Sequence, residues 1–366
     1  ISPYEKKRAT QFTSQAMNMP KNILLSLPAG TDPPASLFQV TSKFDQHLRE
    51  GAIEPYTALP TGFSPLDEYI GQGLMPESLM LIGGPPNVGK TVFALQLARN
   101  IAMRGANGGF SQHAQNGSRK RVGALYVCYE HGDVYLEQRL ICMESFVANP
   151  SAREGVTLNE IQREMIAPIS KDEAVEEGLD KILHRLPKAR QAYQRLNSYW
   201  EYLYLVKGDP SKTTPQVFDQ YIEFVKTEGR LDSLVLIVDY LQKVPVMPHL
   251  HENKNPVQVV VEELKNLALR RHIPVVAVAA GDAEGLRRDR LRFEDLWGNS
   301  SINYEPDVAI MLNPTWRDNA AARRKHREPK VLFSIEKNRL GPTWIEMLFK
   351  LWGQYYAFDP QGELNQ

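Results

Sequence analysis

The sequence of 366 residues lacks the features that mark several protein classes. It has only two cysteines, Cys128 and Cys142, which excludes a disulfide scaffold and a four-cysteine zinc site and suits a reducing compartment. No run of about 18 apolar residues is present, and the signal-peptide pattern is absent. We therefore expect no membrane contact and a cytoplasmic location. The chain starts at Ile1 rather than methionine, which leaves room for missing upstream residues.

Neither sign of charge is in excess, because 43 lysines and arginines balance 43 acidic residues. Any contact with nucleic acid must therefore come from local basic patches. Hydrophobic residues make up 42% and charged residues 23%, which permits a sizeable core and excludes global disorder. The length suits about two domains, or one α/β domain with insertions.

The pattern along the chain predicts an arm followed by an α/β domain. Residues 1–56 carry scattered prolines and one short helix, Thr41–Glu50, and form the predicted N-terminal arm or linker. In residues 57–366, helical stretches such as Thr91–Arg104 and Val257–His272 alternate with short apolar runs that are typical of buried strands. This alternation predicts an α/β fold with a mainly parallel sheet and helices on both faces. The predicted strands are Leu79–Gly83, Val122–Tyr129, Ser233–Tyr240, Pro274–Ala280, Asp307–Leu312 and Val331–Glu336.

Three segments interrupt this alternation. Gly105–Arg121 is predicted to be a loop, and Arg317–Lys330 a basic excursion between two strands. Residues 146–200 are predicted to be a mostly helical insertion, in which Glu160–Met165 and Asp180–Leu196 have helical periodicity.

The most specific motif is a phosphate-binding loop, Gly84-Pro85-Pro86-Asn87-Val88-Gly89-Lys90-Thr91. It matches the G-x-x-x-x-G-K-[ST] pattern between a predicted strand and a predicted helix, which is the context that the motif requires. Backbone N–H groups and the helix N-terminus would hold the phosphates of ATP. Lys90 would reach the β- and γ-phosphates, and the Thr91 hydroxyl would bind Mg²⁺. The predicted nucleotide-binding residues are Gly84, Pro86, Asn87, Val88, Gly89, Lys90 and Thr91.

Two carboxylates end predicted strands of the same domain. Asp239 closes the apolar run Leu234–Val238, and beside a phosphate loop it would help to hold Mg²⁺. Glu130 follows the strand after the phosphate loop, where it would polarise the attacking water as a general base. Each carboxylate could instead end its strand or begin a helix for structural reasons alone.

The ordered motifs resemble those of the DnaB-type replicative helicase C-terminal, RecA-like ATPase domain, and the resemblance spans residues 57–358. Glu130 with the downstream Arg139 resembles the catalytic segment of that family, and Asp239 lies in a segment similar to its metal-binding strand. The four segments that carry the resemblance are Pro60-Thr61-Gly62-Phe63-Ser64-Pro65-Leu66-Asp67, Tyr129-Glu130-His131, Val238-Asp239-Tyr240-Leu241-Gln242 and Lys337-Asn338-Arg339-Leu340-Gly341-Pro342-Thr343.

The resemblance implies an ATP-hydrolysing ring motor, with six subunits expected, that acts on single-stranded DNA. It assigns to Lys337 and Arg339 the role of reaching into the nucleotide site of the neighbouring subunit, where positive charge stabilises the transferring phosphoryl group. It also assigns a segment with four arginines to the central channel, where their charge would hold the DNA backbone. These arginines are Arg287, Arg288, Arg290 and Arg292. No loading protein or primase can be identified from the sequence.

Two segments depart from the family pattern. Gly281-Asp282 stands where the family has a glutamine that senses the γ-phosphate, and an acidic residue there would repel phosphate unless it is paired. In Asp295–Asp307, Trp297 replaces an arginine, and Asn303-Tyr304 replaces a Glu-Gln pair. These departures favour a first alternative, a KaiC-like or DnaB-derived regulatory ATPase that binds and hydrolyses ATP without unwinding DNA.

A second alternative is a scaffold that binds ATP without hydrolysing it. The predicted catalytic base Glu130, metal ligand Asp239 and trans-acting Arg339 together argue against this alternative, because a scaffold needs none of them.

Other polar clusters give weaker predictions. Arg323-Arg324-Lys325 is more typical of a solvated surface than of a DNA site, and His249 and His251 do not form a metal pattern. The two cysteines are predicted to be core thiols.

Overall fold

The computed structural model describes residues 33–51, 56–109, 120–148, 154–166, 178–246, 255–298, 302, 304–315 and 330–365. The chain divides into two compact units, Ile1–Ile53 and Glu54–Gln366. Among the described residues, no helix is long and apolar enough to cross a membrane.

The described part of the first unit is one amphipathic helix, α1 (Leu37–Glu50). It begins earlier than the predicted Thr41 because Ser36 and Gln39 form a reciprocal capping box. It ends at Gly51, which adopts the left-handed conformation that glycine tolerates best. None of its residues is buried, and five large apolar side chains are exposed: Leu37, Phe38, Val40, Phe44 and Leu48.

The second unit is built on a sheet of ten strands among the described residues. The spatial order is β10-β8-β7-β6-β1-β5-β4-β2-β3, and β9 pairs with β8. The strands are β1 (Leu79–Gly83), β2 (Val122–Cys128), β3 (Leu203–Lys207), β4 (Ser233–Asp239), β5 (Val275–Val278), β6 (Val308–Pro314), β7 (Lys330–Asn338), β8 (Ile345–Trp352), β9 (Ala357–Phe358) and β10 (Glu363–Leu364).

The six strands from β3 to β6 in this order are parallel, and β7 to β10 extend the sheet in antiparallel pairs. The carboxyl ends of β1, β2, β4 and β5 therefore meet at one edge, where ligands bind in open parallel sheets. Helices in the described part of this unit are α2 (Leu66–Tyr69), α3 (Lys90–Ala106), α4 (Asp133–Val147), α5 (Leu158–Ile166), α6 (Leu179–His184), α7 (Pro187–Leu196), α8 (Pro215–Glu228) and α9 (Pro256–Arg271).

Two hydrophobic cores cover the two faces of the sheet. Successive strand residues point to opposite faces, so Met80 and Ile82 join one core while Leu79 and Leu81 join the other. The first core includes α3 and α4, and the second includes α8 and α9. The predicted α/β fold, with a mainly parallel sheet and helices on both faces, is confirmed.

The helical insertion differs in one respect from its prediction. The stretch Asp180–Leu196 was predicted as one helix, but it forms α6 and α7. Pro187 is the cause, because proline lacks an N–H group and forces the preceding Leu186 out of the helical conformation. The predicted loop at Gly105–Arg121 starts later, since α3 continues to Ala106. Residues 110–119 and 316–329 lie outside the described residues.

Candidate nucleotide-binding site

A cavity of about 460 Å³ opens at the carboxyl edge of the parallel strands. The loops after β1, β2, β4 and β5 line it, and residues from the end of β8 onward close one side. Four predicted catalytic or metal-binding residues meet there, namely Lys90, Thr91, Glu130 and Asp239, together with Pro86, Asn87 and Gly89 of the predicted phosphate loop. The fold therefore brings together side chains that lie up to 149 positions apart in the sequence, from Lys90 to Asp239.

The phosphate loop joins β1 to α3 with an unusual backbone. Gly84 (φ 152°), Asn87 (φ 62°) and Gly89 (φ 104°) all have positive φ, which glycine adopts at little cost and asparagine tolerates. A Cβ atom on Gly84 would lie 2.4 Å from the carbonyl oxygen of Leu312, so only glycine fits. No side chain caps the N-terminus of α3, so its N–H groups stay available for an anion.

Lys90 is folded back onto this loop. Its Nζ donates hydrogen bonds to the carbonyl oxygens of Gly84 (2.7 Å) and Pro85 (2.9 Å). Burial lowers the pKa of Lys90 to about 8, although the nearby carboxylates of Asp239 and Glu130 oppose this shift. The ammonium thus lies in the cavity, held by carbonyl groups that a phosphate could replace.

Asp239 is almost completely buried, at 1% exposure, at the end of β4. Its Oδ2 accepts a hydrogen bond from the Tyr126 hydroxyl (2.9 Å), and the Thr91 hydroxyl is a further partner of the carboxylate. Burial raises the pKa of Asp239, while the hydrogen bonds from Thr91 and Tyr126 lower it. A hydroxyl and a carboxylate side by side are oxygen ligands of the kind that Mg²⁺ prefers.

The donor set fits Mg²⁺ in a nucleotide site. Among the described residues, no cluster of three or more His, Cys, Asp or Glu side chains could form an all-protein metal cage. Mg²⁺ commonly binds through one or two protein oxygens, with phosphate oxygens and water as the other ligands. Thr91 and Asp239 would supply those protein contacts.

Glu130 is exposed at the cavity and belongs to the turn between β2 and α4. Behind it, the thiol of the buried Cys128 accepts a hydrogen bond from the backbone N–H of His131 (3.3 Å) and fixes the turn. The guanidinium of Arg139 also lines the cavity, stacked over the rings of Tyr135 (4.8 Å) and Tyr356 (4.9 Å). The sequence motif contained Arg139, but only the fold shows that a tyrosine from beyond β8 lies against it.

The structure places Lys337 and Arg339 away from this cavity. Because β7 is antiparallel to β6, its last residue, Asn338, pairs with Val308 at the start of β6. That edge of the sheet is opposite to the phosphate loop, which follows the end of β1. Arg339 forms an ion pair with Asp307 (3.1 Å) and donates to the carbonyl oxygen of Tyr304 (2.6 Å).

Lys337 also donates to the carbonyl oxygen of Tyr304 (2.8 Å). Desolvation and the neighbouring Arg339 lower the pKa of Lys337 to about 8. The sequence predicted that both residues follow the strand, whereas Lys337 lies within β7. The two cations therefore form a single cluster at the edge remote from the nucleotide cavity of the same chain.

Three of the four arginines predicted to contact DNA are paired with acidic groups of the same chain. Arg287 is exposed and has no side-chain partner in the part of the chain that the structure describes. The positive charge of this segment is thus largely neutralised. The ion pairs are Arg288 with Asp295 (2.9 Å), Arg290 with Glu346 (2.5 Å) and Arg292 with Glu336 (3.2 Å).

The two departures from the family pattern have clear positions. Asp282 does not line the cavity, and its Oδ1 accepts a hydrogen bond from the N–H of Gly285 (2.6 Å). It caps its own turn rather than facing a phosphate. Trp297 is 56% exposed and Tyr304 is also exposed, whereas Asn303 lies outside the described residues.

The remaining sequence predictions concern the two cysteines, two histidines and a second basic cluster. Cys128 and Cys142 are buried, as expected of core thiols, and burial raises their pKa values to about 11 and about 12. His249, His251 and the basic cluster 323–325 lie outside the described residues.

Comparison with known proteins settles the family. The sequence profile of the DnaB-like helicase C terminal domain matches residues 58–359. The chain belongs to this family. The predicted resemblance is thus confirmed, and with it the identity of the domain as a P-loop ATPase domain of the DnaB-like kind.

Curated relatives of this DnaB-like chain are replicative helicases with modest identity. The replicative DNA helicase DnaB of Haemophilus influenzae is 26% identical over 331 residues, which cover 89% of this chain and 59% of that protein. The replicative DNA helicase DnaC of Bacillus subtilis is 23% identical over 311 residues, covering 84% and 57%. The probable plasmid replicative DNA helicase of Chlamydia muridarum is 24% identical over 311 residues, covering 84% and 54%. The chain spans a little more than half the length of these relatives.

Solved structures confirm the RecA-like fold. An ATPase domain with 18% identity superimposes with a TM-score of 0.64 and covers 89% of this chain and 99% of its own. A DnaB-like replicative helicase, described together with its interactions with primase, gives a TM-score of 0.63 at 18% identity. That match covers 97% of this chain and 76% of the helicase.

Proposed function

We propose that this chain is the ATP-hydrolysing motor of a DnaB-type replicative helicase, working as a homo-oligomeric ring on single-stranded DNA. One observation carries the proposal. In a chain of the DnaB-like family, the phosphate loop, Thr91, Asp239 and Glu130 meet in one cavity at the carboxyl edge of the sheet. Phosphoryl transfer needs this combination of phosphate cradle, metal ligands and water-orienting base.

The phosphates of ATP would bind the uncapped N-terminus of α3. Lys90 would exchange its two hydrogen bonds to loop carbonyls for bonds to the β- and γ-phosphate oxygens. Thr91 and Asp239 would hold Mg²⁺, which when bound neutralises the charge that develops on the phosphate oxygens. The Tyr126 hydroxyl keeps one oxygen of Asp239 fixed, so the carboxylate has a defined orientation.

Glu130 is an exposed carboxylate of the cavity and can accept a proton from the attacking water. Its carboxylate is exposed and belongs to a turn that the Cys128 thiol fixes. In this role Glu130 would orient a water molecule opposite the leaving oxygen and take its proton as the bond to the γ-phosphorus forms.

The cation cluster of Lys337 and Arg339 supports a ring. Neither side chain lines the cavity of its own chain, and both lie at the opposite edge of the sheet. In a ring that places this edge against the next subunit, Arg339 would stabilise the charge of the neighbour's transferring phosphoryl group with its planar fork of donors. A ring of six subunits, as the resemblance implies, is the arrangement that we propose.

Single-stranded DNA would contact the segment that holds Arg287, Arg288, Arg290 and Arg292. Because three of these guanidinium groups have acidic partners, Arg287 is the residue best placed to meet a DNA phosphate. We expect a correspondingly shallow dependence of DNA affinity on salt concentration.

The test is the rate of ATP hydrolysis with and without a single-stranded oligonucleotide, together with strand displacement from a forked duplex. The proposal predicts hydrolysis that DNA stimulates, and displacement that requires ATP. Lys90→Ala serves as the control for contaminating ATPases. Hydrolysis that DNA leaves unchanged, without displacement, would contradict the proposal and favour the regulatory ATPase, whereas ATP binding without hydrolysis would favour the scaffold.

A further inference from the structure

A closed set of hydrogen bonds at the carboxyl edge of the sheet centres on the side chain of Gln242. This residue lies in the short turn Leu241–Lys243 after β4. Its Nε2 donates to the carbonyl oxygens of Ala280 (3.3 Å) and Trp297 (3.2 Å), and its Oε1 accepts from the N–H of Ala280 (3.1 Å). The N–H of Trp297 completes the set by donating to the carbonyl oxygen of Ala280 (3.0 Å).

These hydrogen bonds join the turn after β4, the segment after β5 and the end of the segment with the four arginines. Tyr240, two residues before Gln242, and Ala280 both line the nucleotide cavity. Trp297 ends the segment that contains the four arginines, and the adjacent Leu296 pairs with Gly281 in an isolated antiparallel bridge. Gln242 therefore connects two walls of the nucleotide cavity with the segment that is proposed to contact DNA.

The chemistry of the side chain matches this position. A primary amide both donates and accepts hydrogen bonds, so glutamine can satisfy an N–H group and two carbonyl groups at once. The segment that follows β5 carries Gly281-Asp282 and has no side-chain amide of its own there. Asp282 is engaged in its own turn, so the amide that reaches the end of β5 comes from β4.

We infer that Gln242 is the positioning residue that couples the nucleotide cavity to the arginine segment in this chain. A shift of the β4 end or of Ala280 when nucleotide binds would move the amide, and the amide holds the Trp297 backbone directly. Because the Trp297 side chain is 56% exposed and otherwise covered by protein, a movement of this backbone changes its contact with solvent. The assignment of the arginine segment to DNA rests on the proposed function, but the link between the cavity and Trp297 does not.

Tryptophan fluorescence tests the link without DNA. A non-hydrolysable ATP analogue is titrated into the protein and into Trp297→Phe, and the difference between the two signals is the part that Trp297 carries. Gln242→Glu keeps the size of the side chain and the acceptor for Ala280, but it loses the donor to Trp297. We expect this variant to lose the Trp297 signal and to keep its affinity for the analogue within about twofold, which lies below the usual range of coupling between sites.

The control is Gln258→Ala, which should leave the signal intact, since among the described residues the side chain of Gln258 bonds along its own helix to Glu262 (2.8 Å). Melting curves of Gln242→Glu establish that the variant is folded. If Gln242→Glu and Gln242→Ala both retain the full Trp297 signal, or if the protein itself shows none, the inference is overturned.

DNA-stimulated hydrolysis provides the second measurement. The ratio of stimulated to basal rate should fall about fivefold or more in Gln242→Glu, the lower end of the usual range for coupled sites. An unchanged ratio in Gln242→Glu would refute the coupling. If the protein itself shows no stimulation, the proposed function fails, and the fluorescence experiment alone decides whether Gln242 links the two segments.

Discussion

The hydrogen bond from Tyr126 to Asp239 allows a sharp test of how the metal-binding carboxylate is held. Tyr126 is fully buried in β2, and its hydroxyl donates to Oδ2 of Asp239 over 2.9 Å. Tyr126→Phe keeps the ring and removes only the donor. A hydrogen bond to a charged group contributes about 1.5–3 kcal/mol, so the free energy of unfolding should fall by about that amount at neutral pH without Mg²⁺.

The pH dependence of this loss has a definite sign. Burial already raises the pKa of Asp239, and the Tyr126 hydroxyl opposes that rise because it stabilises the charged form. Without the hydroxyl, the pKa of Asp239 rises further, and the folded protein retains a proton more readily. The penalty is therefore largest where Asp239 is ionised and becomes smaller as the pH falls through its folded-state pKa.

Urea denaturation at neutral pH and at about pH 5 measures both the loss of unfolding free energy and its dependence on pH, because buried carboxylates change protonation over this range. Tyr204→Phe in the neighbouring β3 is the control, because its hydroxyl makes no side-chain hydrogen bond in the part of the chain that the structure describes. A titration of Mg²⁺ at fixed ATP should also show weaker Mg²⁺ dependence of binding in Tyr126→Phe. A variant as stable as the parent at neutral pH, with unchanged Mg²⁺ affinity, would refute this account of Asp239.

Three further predictions concern ATP binding and hydrolysis, assembly of the subunits, and DNA binding. Lys90→Ala should abolish nucleotide binding. Glu130→Gln should bind ATP normally and hydrolyse it roughly two to four decades more slowly than the parent protein. If Glu130→Gln hydrolyses ATP at the parent rate, Glu130 is not the general base. Removal of residues 1–50, with the exposed apolar face of α1, should shift rings to monomers in sedimentation, and unchanged rings would contradict this. Arg287→Ala should lower the salt slope of DNA binding by about 0.7, whereas the ion-paired Arg290→Ala should change it less.

The parts of the site that depend on local sequence could be predicted well. The phosphate loop has positive φ at Gly84 and Gly89 between a strand and a helix. Because glycine adopts positive φ at little cost, the spacing of these two glycines is visible in the sequence. Asp239 and Glu130 could be singled out as candidates because buried parallel strands are continuous apolar runs, and a carboxylate that ends such a run stands out in the sequence. The edge strand β3 was missed although Leu203–Val206 is a continuous apolar run, because a run this short does not distinguish a strand from part of the helical insertion that precedes it.

The parts that depend on distant partners could not be read from sequence. Arg290 and Arg292 look like free cations in the sequence, but β7 and β8 bring Glu336 and Glu346 against them. The hydrogen bonds of Gln242 arise only after β4 and β5 pair. No periodicity or spacing encodes these contacts, because they link residues from separate strands.

The complementation of two inactive variants tests most directly the central claim, that ATP is hydrolysed at this cavity with help from the neighbouring subunit. Arg339→Ala should keep its ATP affinity but hydrolyse ATP about three decades or more slowly, which is the usual contribution of an arginine supplied by a neighbouring subunit. Glu130→Gln should be inactive for a different reason. Mixed rings contain interfaces where an intact Glu130 meets an intact Arg339, so the account predicts that mixing partly restores hydrolysis. If native mass spectrometry shows mixed rings and hydrolysis stays absent, Arg339 does not act across the subunit boundary and the claim is contradicted.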